Sequence, residues 1–280
     1  MKWQCRLAPS LGGGFDGTPN QAWGTVDYKD DQAPTVFFGL YGLPDFYNLW
    51  RHRGKKCILW CGSDIRHFVN GYWLEEEGII KIDPKPLAEW INKNCESWVE
   101  NEIEYNALKE LGIESQICPS FLGDVTKFEI SYQWSKRPKL YTSVSGDDFK
   151  LYGWDKINKL SAENLNIEFH LYGNKEPFII DPFNEEEPSN VIIHGRVPKE
   201  QMNEEIKDMQ GALRLVEFEG FSEIIAKSLL MGQWPVSLIK YPHTLSVENI
   251  DMLKLAKEPN MGGREWLLSV VNKFPWNLKK

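Results

Sequence analysis

The sequence predicts an α/β protein made of two Rossmann-like, doubly wound domains. Short runs rich in β-branched and aromatic residues alternate with amphipathic segments along most of the chain. This alternation is typical of a parallel sheet covered by helices. It stops near residue 135 and then starts again, which indicates a second domain. A length of 280 residues allows two domains, and a hydrophobic content of 42% with 12 Trp, 14 Phe and 10 Tyr can fill two cores.

The first half of the chain is predicted to contain five strands and two helices. The helix at 43–54 ends in basic residues and a glycine, which is a common way for a helix to stop. The helix at 102–113 places Ile103, Leu108 and Leu111 on one face. The strands are expected at 3–7, 35–42, 55–62, 96–101 and 115–121.

The second half repeats the alternation after Pro138, with a polar loop at 174–190. Strands are expected at 139–145, 166–173, 191–196, 212–218 and 234–239, helices at 152–164, 198–210 and 222–232, and helical segments at 247–258 and 263–280. The domain boundaries that follow are 1–134, 135–262 and 263–280. In doubly wound folds ligands bind at the carboxyl ends of the strands, so site residues are sought there.

Charge and cysteine content argue against several classes of protein. A formal net charge of −8 argues against a nucleic-acid-binding groove, which needs a basic face. The five cysteines lack CxxC spacing, so neither a disulfide framework nor a zinc ribbon is indicated. No run reaches the ~18 apolar residues of a membrane span. We therefore expect a cytoplasmic protein, with peripheral membrane contact through the basic run at 51–56 as an alternative.

One turn in the second half combines a glycine with several acids. The stretch EFEGFSEIIAKS, residues 217–228, passes from a strand into a helix, and Ser222 is placed to cap that helix. The amides of Gly220, Phe221 and Ser222 would then form an anion site at the helix start. The carboxylate of Glu219 would repel a phosphate, but it is a strong partner for sugar hydroxyls. A phosphate beside a sugar describes an activated glycosyl donor.

The stretch from 191 to 237 resembles the donor-binding half of GT-B fold glycosyltransferases, in particular the retaining family-4-like group. In that family a strand ending in Glu-Gly-Phe-Gly begins a helix with a second glutamate eight residues after the first, and Pro-Val-Val follows. The stretch EGFSEIIAKSLLMGQWPVS matches this pattern at Glu219, Gly220, Phe221, Gly232, Pro235 and Val236. Near the N-terminus, PSLGGGFDG is similar to the family's glycine-rich loop, and WCGSDIRH is similar to its segment facing the cleft.

The resemblance implies a fold and a reaction. The fold would be GT-B, with two Rossmann-like domains facing a central cleft and residues 263–280 packing back on the N-terminal domain. Residues 1–134 would form the acceptor side, and residues 135–262 would bind the nucleotide-sugar. The reaction would be hexosyl transfer to a hydroxyl of a glycan, lipid or protein acceptor, with retention of configuration. The nucleotide-sugar is a substrate, so no cofactor is expected. A metal is not expected either, because the adjacent acids at 30–31 and 147–148 stand in polar turns and not at strand ends.

The matched segments and the strand ends supply the candidate site residues. The candidate catalytic residues are Glu219, Asp64 and Arg214. The candidate donor-binding residues are Gly12, Gly13, Gly14, Lys150, His194, Gly220, Phe221, Ser222, Glu223 and Lys227. For the glycine triplet, a plain flexible loop is the alternative. Catalysis would come mainly from stabilising the departing diphosphate with amides and cations.

Two departures from the family pattern leave other functions open. Lys227 stands where the second glutamate would be, and it follows Glu223 by four residues, the favourable order for a helix-surface ion pair worth ~0.2–0.5 kcal/mol. The family's Lys-Gly after the first strand of the donor domain is also absent, so Lys150, Arg214 and Lys227 would have to supply positive charge. The alternatives are a sugar- or nucleotide-binding protein without turnover and a GT-B epimerase or phosphorylase.

Overall fold

Two parallel β-sheets with helices packed against them form the structure, a computed structural model that describes residues 2–11, 17–71, 82–144, 151–173 and 189–279. The chain divides into two compact units. The first unit comprises Met1–Asp124, Phe218–Phe221 and Val270–Lys280, and the second comprises Val125–Glu217 and Ser222–Ser269. The four-residue segment Phe218–Phe221 therefore belongs to the first unit, which nothing in the sequence predicted.

The first sheet contains six parallel strands. They are β1 (Gln4–Leu7), β2 (Val26–Asp27), β3 (Thr35–Phe38), β4 (Lys56–Leu59), β5 (Glu96–Val99) and β6 (Ser115–Ile117), in the order β2-β1-β3-β4-β5-β6. The α-helices are α1 (Pro19–Trp23), α2 (Leu43–Arg51), α3 (Ser63–Val69), α4 (Pro84–Asn94) and α5 (Glu102–Glu110). The five strands predicted in this half are confirmed, as are α2 and α5, whereas β2, α1, α3 and α4 were not predicted.

Local sequence explains where the helices near the strand ends begin. The side chain of Asn101 caps α5, since its Oδ1 accepts hydrogen bonds from the amides of Ile103 and Glu104. Helix α4 begins with Pro84 after an aspartate that caps it. Helix α3 begins after Gly62, whose φ of 87° is accessible mainly to glycine. Of these three starts, those of α3 and α5 directly follow the ends of β4 and β5.

Apolar side chains cover both faces of the first sheet. Successive side chains of a strand point to opposite faces, so Phe37 belongs to one buried cluster and Val36 to the other. The cluster that contains Val36 also contains Phe274 and Trp276, whose rings stack 4.6 Å apart at 8°. Burial of these two aromatic side chains places the segment Val270–Lys280 in the first unit.

The second sheet contains five parallel strands. They are β7 (Lys139–Ser143), β8 (Glu168–Tyr172), β9 (Val191–Gly195), β10 (Gly211–Arg214) and β11 (Val236–Ser237), in the order β11-β10-β7-β8-β9. The α-helices of this half are α6 (Trp154–Glu163), α7 (Lys199–Glu205), α8 (Glu223–Leu230) and α9 (Met261–Val270), and 3₁₀ helices run over Ile206–Asp208 and Val247–Lys254. Every strand predicted in this half is confirmed, although several are shorter than expected.

The strand expected at 212–218 shows why the predicted lengths were too long. Its last two ladder residues, Leu213 and Arg214, pair with β11, which is itself only two residues long. Leu215 and Val216 are still buried, so the apolar pattern continues after the pairing has ended. The apolar run therefore marks burial, and the neighbouring strand decides where β10 stops.

Within the described ranges no helix has the length and apolar character needed to span a bilayer. A span needs about 20 consecutive apolar residues. The longest of the described α-helices, α4, has 11 residues.

Candidate functional site

The carboxyl edge of the first sheet holds the segment that the sequence singled out. Glu219 is partly exposed, whereas Gly220 and Phe221 are buried. All three belong to the first unit, where the loops that follow β4 and β5 contact their backbone. The expected strand end is therefore a short peptide pressed against the carboxyl ends of two other strands, the position at which doubly wound folds bind ligands.

Two side chains that follow β5 hold the backbone of this peptide. Asn101 Nδ2 donates to the carbonyl oxygen of Glu219 at 2.7 Å. The amide of Phe221 donates to Glu100 Oε2 at 2.8 Å. The sequence assigned that amide to an anionic ligand, but in the structure the protein's own carboxylate occupies it. A ligand phosphate would therefore have to depend on other donors.

The backbone of Gly62, in the loop after β4, lies close to the backbone of the same peptide. A Cβ on Gly62 would lie 2.4 Å from the amide nitrogen of Gly220 and 2.7 Å from the Cα of Glu219. A Cβ on Gly220 would in turn lie 2.0 Å from Glu100 Oε2. Contacts this short are not available to real Cβ atoms, so both positions need glycine for close packing.

Asp64 lies at this edge and is fully buried. Its Oδ2 accepts the amide of Leu40 at 3.0 Å, and its Oδ1 accepts the amides of Cys61 and Ile65 at 2.9 and 2.8 Å. Burial raises the pKa of Asp64 to about 6, although the hydrogen bonds act in the opposite direction. These contacts hold the loops after β3 and β4 together, and a catalytic role for Asp64 stays a prediction.

Two further buried acids accompany Asp64. Glu100 Oε1 accepts the amide of Ser120 at 3.1 Å, and Glu104 Oε2 accepts the amide of Glu100 at 2.7 Å. Burial raises the pKa of Glu100 and, together with the charge of Glu100, the pKa of Glu104. The edge thus concentrates carboxyl groups that are held by main-chain amides and are easier to protonate than exposed ones.

In the second unit, His194 lies on β9 in a chain of polar contacts. Its Nε2 lies 2.9 Å from His170 Nδ1, and its ring stacks on Tyr172 at 4.2 Å. The other nitrogen of His170 contacts Glu168 at 2.8 Å, and Tyr172 donates to Glu205 at 2.8 Å. Burial lowers the pKa of both histidines. These neighbours hold the His194 ring in place, and its role in donor binding stays a prediction.

Arg214 ends β10 in the second unit. Its Nη1 donates to the carbonyl oxygen of Ser143, the last residue of β7, at 2.9 Å. Its guanidinium carbon lies 4.8 Å from the centre of the Tyr152 ring, in a cation–π contact. The cation is therefore fixed at the carboxyl edge of the second sheet, and a catalytic role for Arg214 stays a prediction.

The beginning of α8 differs in detail from the expectation. Ser222 occupies the N-cap position, but its side chain makes no capping hydrogen bond. Lys227 Nζ lies 3.0 Å from Glu223 Oε1, which confirms the ion pair that the spacing predicted. The pair is largely buried, with 5% of the Lys227 side chain and 21% of the Glu223 side chain exposed. Lys227 is thus part of the packing of the helix, and donor binding by these three residues stays a prediction.

The glycine triplet at 12–14 and Lys150 lie outside the described residues. Their predicted roles in donor binding stay predictions.

Sequence reasoning missed Glu100 and Asn101. Both were assigned to the end of the strand at 96–101, although β5 ends at Val99. A signal was present, since an acid and an asparagine stand between an apolar strand and an amphipathic helix. Asparagine is favoured as an N-cap, which would have moved the strand end and placed both side chains at the carboxyl edge.

No protein-family model matches the sequence, and a search of curated proteins gave no significant match. Solved structures do match. TarM superimposes with a TM-score of 0.59 at 14% identity, over 86% of this chain and 52% of TarM. Sucrose-phosphate synthase from Thermosynechococcus elongatus gives 0.60 at 11% identity, over 85% of this chain and 69% of that one.

The lipopolysaccharide outer core galactosyltransferase WaaB also matches, with a TM-score of 0.57 at 9% identity over 86% of this chain and 71% of WaaB. These proteins are GT-B glycosyltransferases, so the α/β fold with two parallel sheets is the GT-B fold that the resemblance implied. The chain spans about half the length of TarM. Identities this low establish the fold alone.

Proposed function

We propose that this protein is a glycosyltransferase that moves a sugar from a UDP-sugar to an acceptor hydroxyl, with retention of configuration. The observation that carries the proposal is the peptide from Glu219 to Phe221, fixed by its backbone at the carboxyl edge of a parallel sheet in a GT-B fold. Its one charged side chain, Glu219, remains partly exposed.

The choice of UDP rests on proteins of the same fold. A variant of TarM from S. aureus was solved with UDP and α-GlcNAc-glycerol. The pneumococcal O-GlcNAc transferase GtfA was solved with UDP and GlcNAc, and it superimposes on this chain with a TM-score of 0.53. We take UDP-linked hexoses as the donor class to test first, and a glycan, lipid or protein as the acceptor.

The proposed roles follow from side-chain chemistry. The Glu219 carboxylate would accept hydrogen bonds from sugar hydroxyls and so orient the hexose. The bond between the anomeric carbon and the diphosphate breaks as the acceptor oxygen forms its new bond on the same face of the sugar. The proton of the acceptor hydroxyl passes to the departing phosphate oxygen, and UDP is released. Arg214, held at a strand end, would contribute positive charge to the departing diphosphate. Metal independence is part of the proposal, and transfer that persists in EDTA would support it.

A second candidate function is donor binding without turnover. The buried ion pair of Lys227 with Glu223 favours it, because the residue at the place of the family's second glutamate is engaged in packing α8. Such a protein would bind a nucleotide-sugar and release no product. Single-turnover assays with an acceptor panel separate the two functions, and a product with free UDP and a rearranged sugar would indicate an epimerase instead.

The first test is a thermal-shift panel with UDP-, GDP-, ADP- and CMP-linked sugars. A ligand at ~100 times its dissociation constant adds about 2.7 kcal/mol to the free energy of unfolding. We expect a UDP-sugar to raise the melting temperature by several degrees and Glu219→Ala to abolish that rise. The matched control is Glu217→Ala, because Glu217 is exposed and pairs with Lys156 at 2.5 Å within the second unit.

Two results would count against the proposal. One is the absence of a shift with every nucleotide-sugar. The other is an equal loss of the shift in Glu219→Ala and Glu217→Ala, because this would trace the effect to general charge and not to the peptide at the sheet edge.

A further inference from the structure

We propose that Glu100 and Asn101 act as positioning residues that set the backbone of Glu219 for the donor sugar. The two residues follow β5 directly and bind the two ends of the peptide Glu219–Phe221. The side chain that would contact the sugar is that of Glu219. Glu100 and Asn101 would therefore act only through Glu219. This inference rests on the proposed function of the same site.

Asn101 is held rigidly by its own helix. Its Oδ1 accepts the amides of Ile103 at 3.0 Å and Glu104 at 3.1 Å, which caps α5. These two bonds fix the orientation of the side-chain amide, so Nδ2 points to the carbonyl oxygen of Glu219 at 2.7 Å. The start of α5 and the backbone of Glu219 are thereby coupled through one side chain.

Glu100 is held at both oxygens by main-chain donors. Oε2 accepts the amide of Phe221 at 2.8 Å and Oε1 accepts the amide of Ser120 at 3.1 Å. The residue is only 5% exposed. A buried carboxyl group at a position suited to an apolar side chain costs free energy, and strong hydrogen bonds are needed to offset that cost. The two main-chain hydrogen bonds offset that cost and fix the position of the Phe221 amide.

Close packing also restrains the peptide. Gly62 lies so close to the peptide that a Cβ on Gly62 would meet the backbone of Glu219 and Gly220. A Cβ on Gly220 would meet the carboxylate of Glu100. The peptide is therefore restrained by hydrogen bonds at both ends and by close packing at Gly62 and Glu100. Restraint of this kind lowers the entropy that a bound sugar would otherwise have to remove.

The experiment measures donor affinity and transfer kinetics in Glu100→Gln, Glu100→Ala, Glu219→Ala and the double variant of both positions to alanine. Glutamine has one acceptor oxygen where glutamate has two, so one of the two main-chain amides at Glu100 would face an NH₂ group. We expect the Glu100 variants to weaken UDP-sugar binding about tenfold or more. At donor concentrations high enough to measure the residual affinity of Glu219→Ala, we expect the double variant to bind no more weakly than Glu219→Ala, because Glu100 acts only through Glu219.

The control is Val99→Ala, because Val99 is adjacent, fully buried and part of the core. It should lower the melting temperature and leave donor affinity unchanged. Gly220→Ala adds a check that needs no ligand. The loss of unfolding free energy caused by Gly220→Ala should be smaller in the Glu100→Ala background than in the wild type, because Glu100→Ala removes the atom that the Cβ of residue 220 would meet. Glu100→Gln keeps the test available if Glu100→Ala does not fold.

Additive losses in the double variant, or Glu100 variants that bind the donor as the wild type does, would overturn the inference alone. The absence of donor binding in the wild type would overturn the inference and the proposed function together.

Discussion

At the scale of single residues, Gly62 meets two independent constraints. Its φ of 87° and ψ of −79° lie in a region that side chains with a Cβ rarely adopt. The space where a Cβ would stand is already filled by the backbone of Glu219 and Gly220. Conformation and packing therefore both require glycine in the loop between β4 and α3.

Replacing Gly62 by alanine should separate these two constraints when it is compared with Gly112→Ala. Gly112 also has a positive φ, 80°, but no atom lies within 4 Å of its Cβ position among the described residues. We expect Gly112→Ala to cost about 1 kcal/mol and Gly62→Ala at least ~2 kcal/mol more. Urea denaturation measures both, and equal losses would mean that the close approach to residues 219–220 does not matter for stability.

Some residues of the candidate site could be predicted from the sequence, and others could not. Glu219 and Gly220 stand in a recognisable strand–turn–helix pattern, so a local signal was enough. Asn101 and Glu219 are 118 positions apart, and no local pattern reports that they meet. Only the packing of the loop after β5 against residues 218–221 creates the contact. An N-cap signal could have placed Asn101 at the carboxyl edge, but it could not have shown that Asn101 meets Glu219.

At the scale of elements, α8 carries an ion pair in an unusual environment. The spacing of Glu223 and Lys227 predicted a solvated pair, whereas both side chains are mostly enclosed. A partly buried pair is screened less by water and salt than an exposed one. Removing only one partner takes away a charge that stabilises the other in the interior.

A double-mutant cycle of Glu223→Gln and Lys227→Met should show this difference. We expect a coupling energy of about 1–3 kcal/mol from urea denaturation. The control cycle uses Asp251 and Lys254, which lie 2.6 Å apart with 75% and 31% of their side chains exposed. Coupling there should stay within ~0.2–1 kcal/mol. Similar coupling energies in both cycles would show that enclosure does not strengthen the pair.

Elements were predicted well where a strong apolar period was present and poorly where it was not. Helix α4 begins in the stretch PKPLAEW, and prolines in its first turn resemble a loop in sequence although they fit the first turn of a helix. Helix α3 has seven residues and begins without a side-chain cap, so no start signal is visible. Helix α4 was missed because its start signal, Asp83 followed by Pro84, also fits a loop, and α3 was missed because its start carries no such signal.

At the scale of the whole molecule, the fold class was predictable because many separate segments of the sequence each indicate it. Ten of the eleven described strands overlap segments that the sequence predicted as strands, and the parallel pairing of the sheets follows from their alternation with helices. The GT-B fold was accordingly confirmed by structural similarity. Strand ends were less predictable, since β10 stops where its partner β11 stops and not where its apolar run ends.

The stability of the molecule should depend on pH through Asp64. Its pKa is raised from 3.8 to about 6 in the folded state, so the folded protein retains a proton that the unfolded chain has released. This contribution is present below about pH 4 and is lost as pH rises to about 6, with a magnitude of up to ~3 kcal/mol. As pH rises from about 4 to about 6, the unfolding free energy of the wild type should therefore fall relative to that of Asp64→Asn. Above that range the difference between the two proteins should stay constant.

The matched control is Glu102→Gln, because Glu102 is an exposed acid at the start of α5. Its difference from the wild type should vary little between pH 4 and 6. Parallel curves for wild type and Asp64→Asn over that range would show that the buried carboxyl keeps an ordinary pKa.

The aromatic cluster of the first unit has a consequence for biosynthesis. The indole of Trp23 donates to Asn272 Oδ1 at 3.1 Å, across 249 positions, and packs against Phe274 and Trp276. A ribosome delivers these partners only after every intervening residue has been made. Part of the apolar surface of the first unit therefore stays exposed while the second unit is synthesised. A chaperone could bind this exposed apolar surface during that interval.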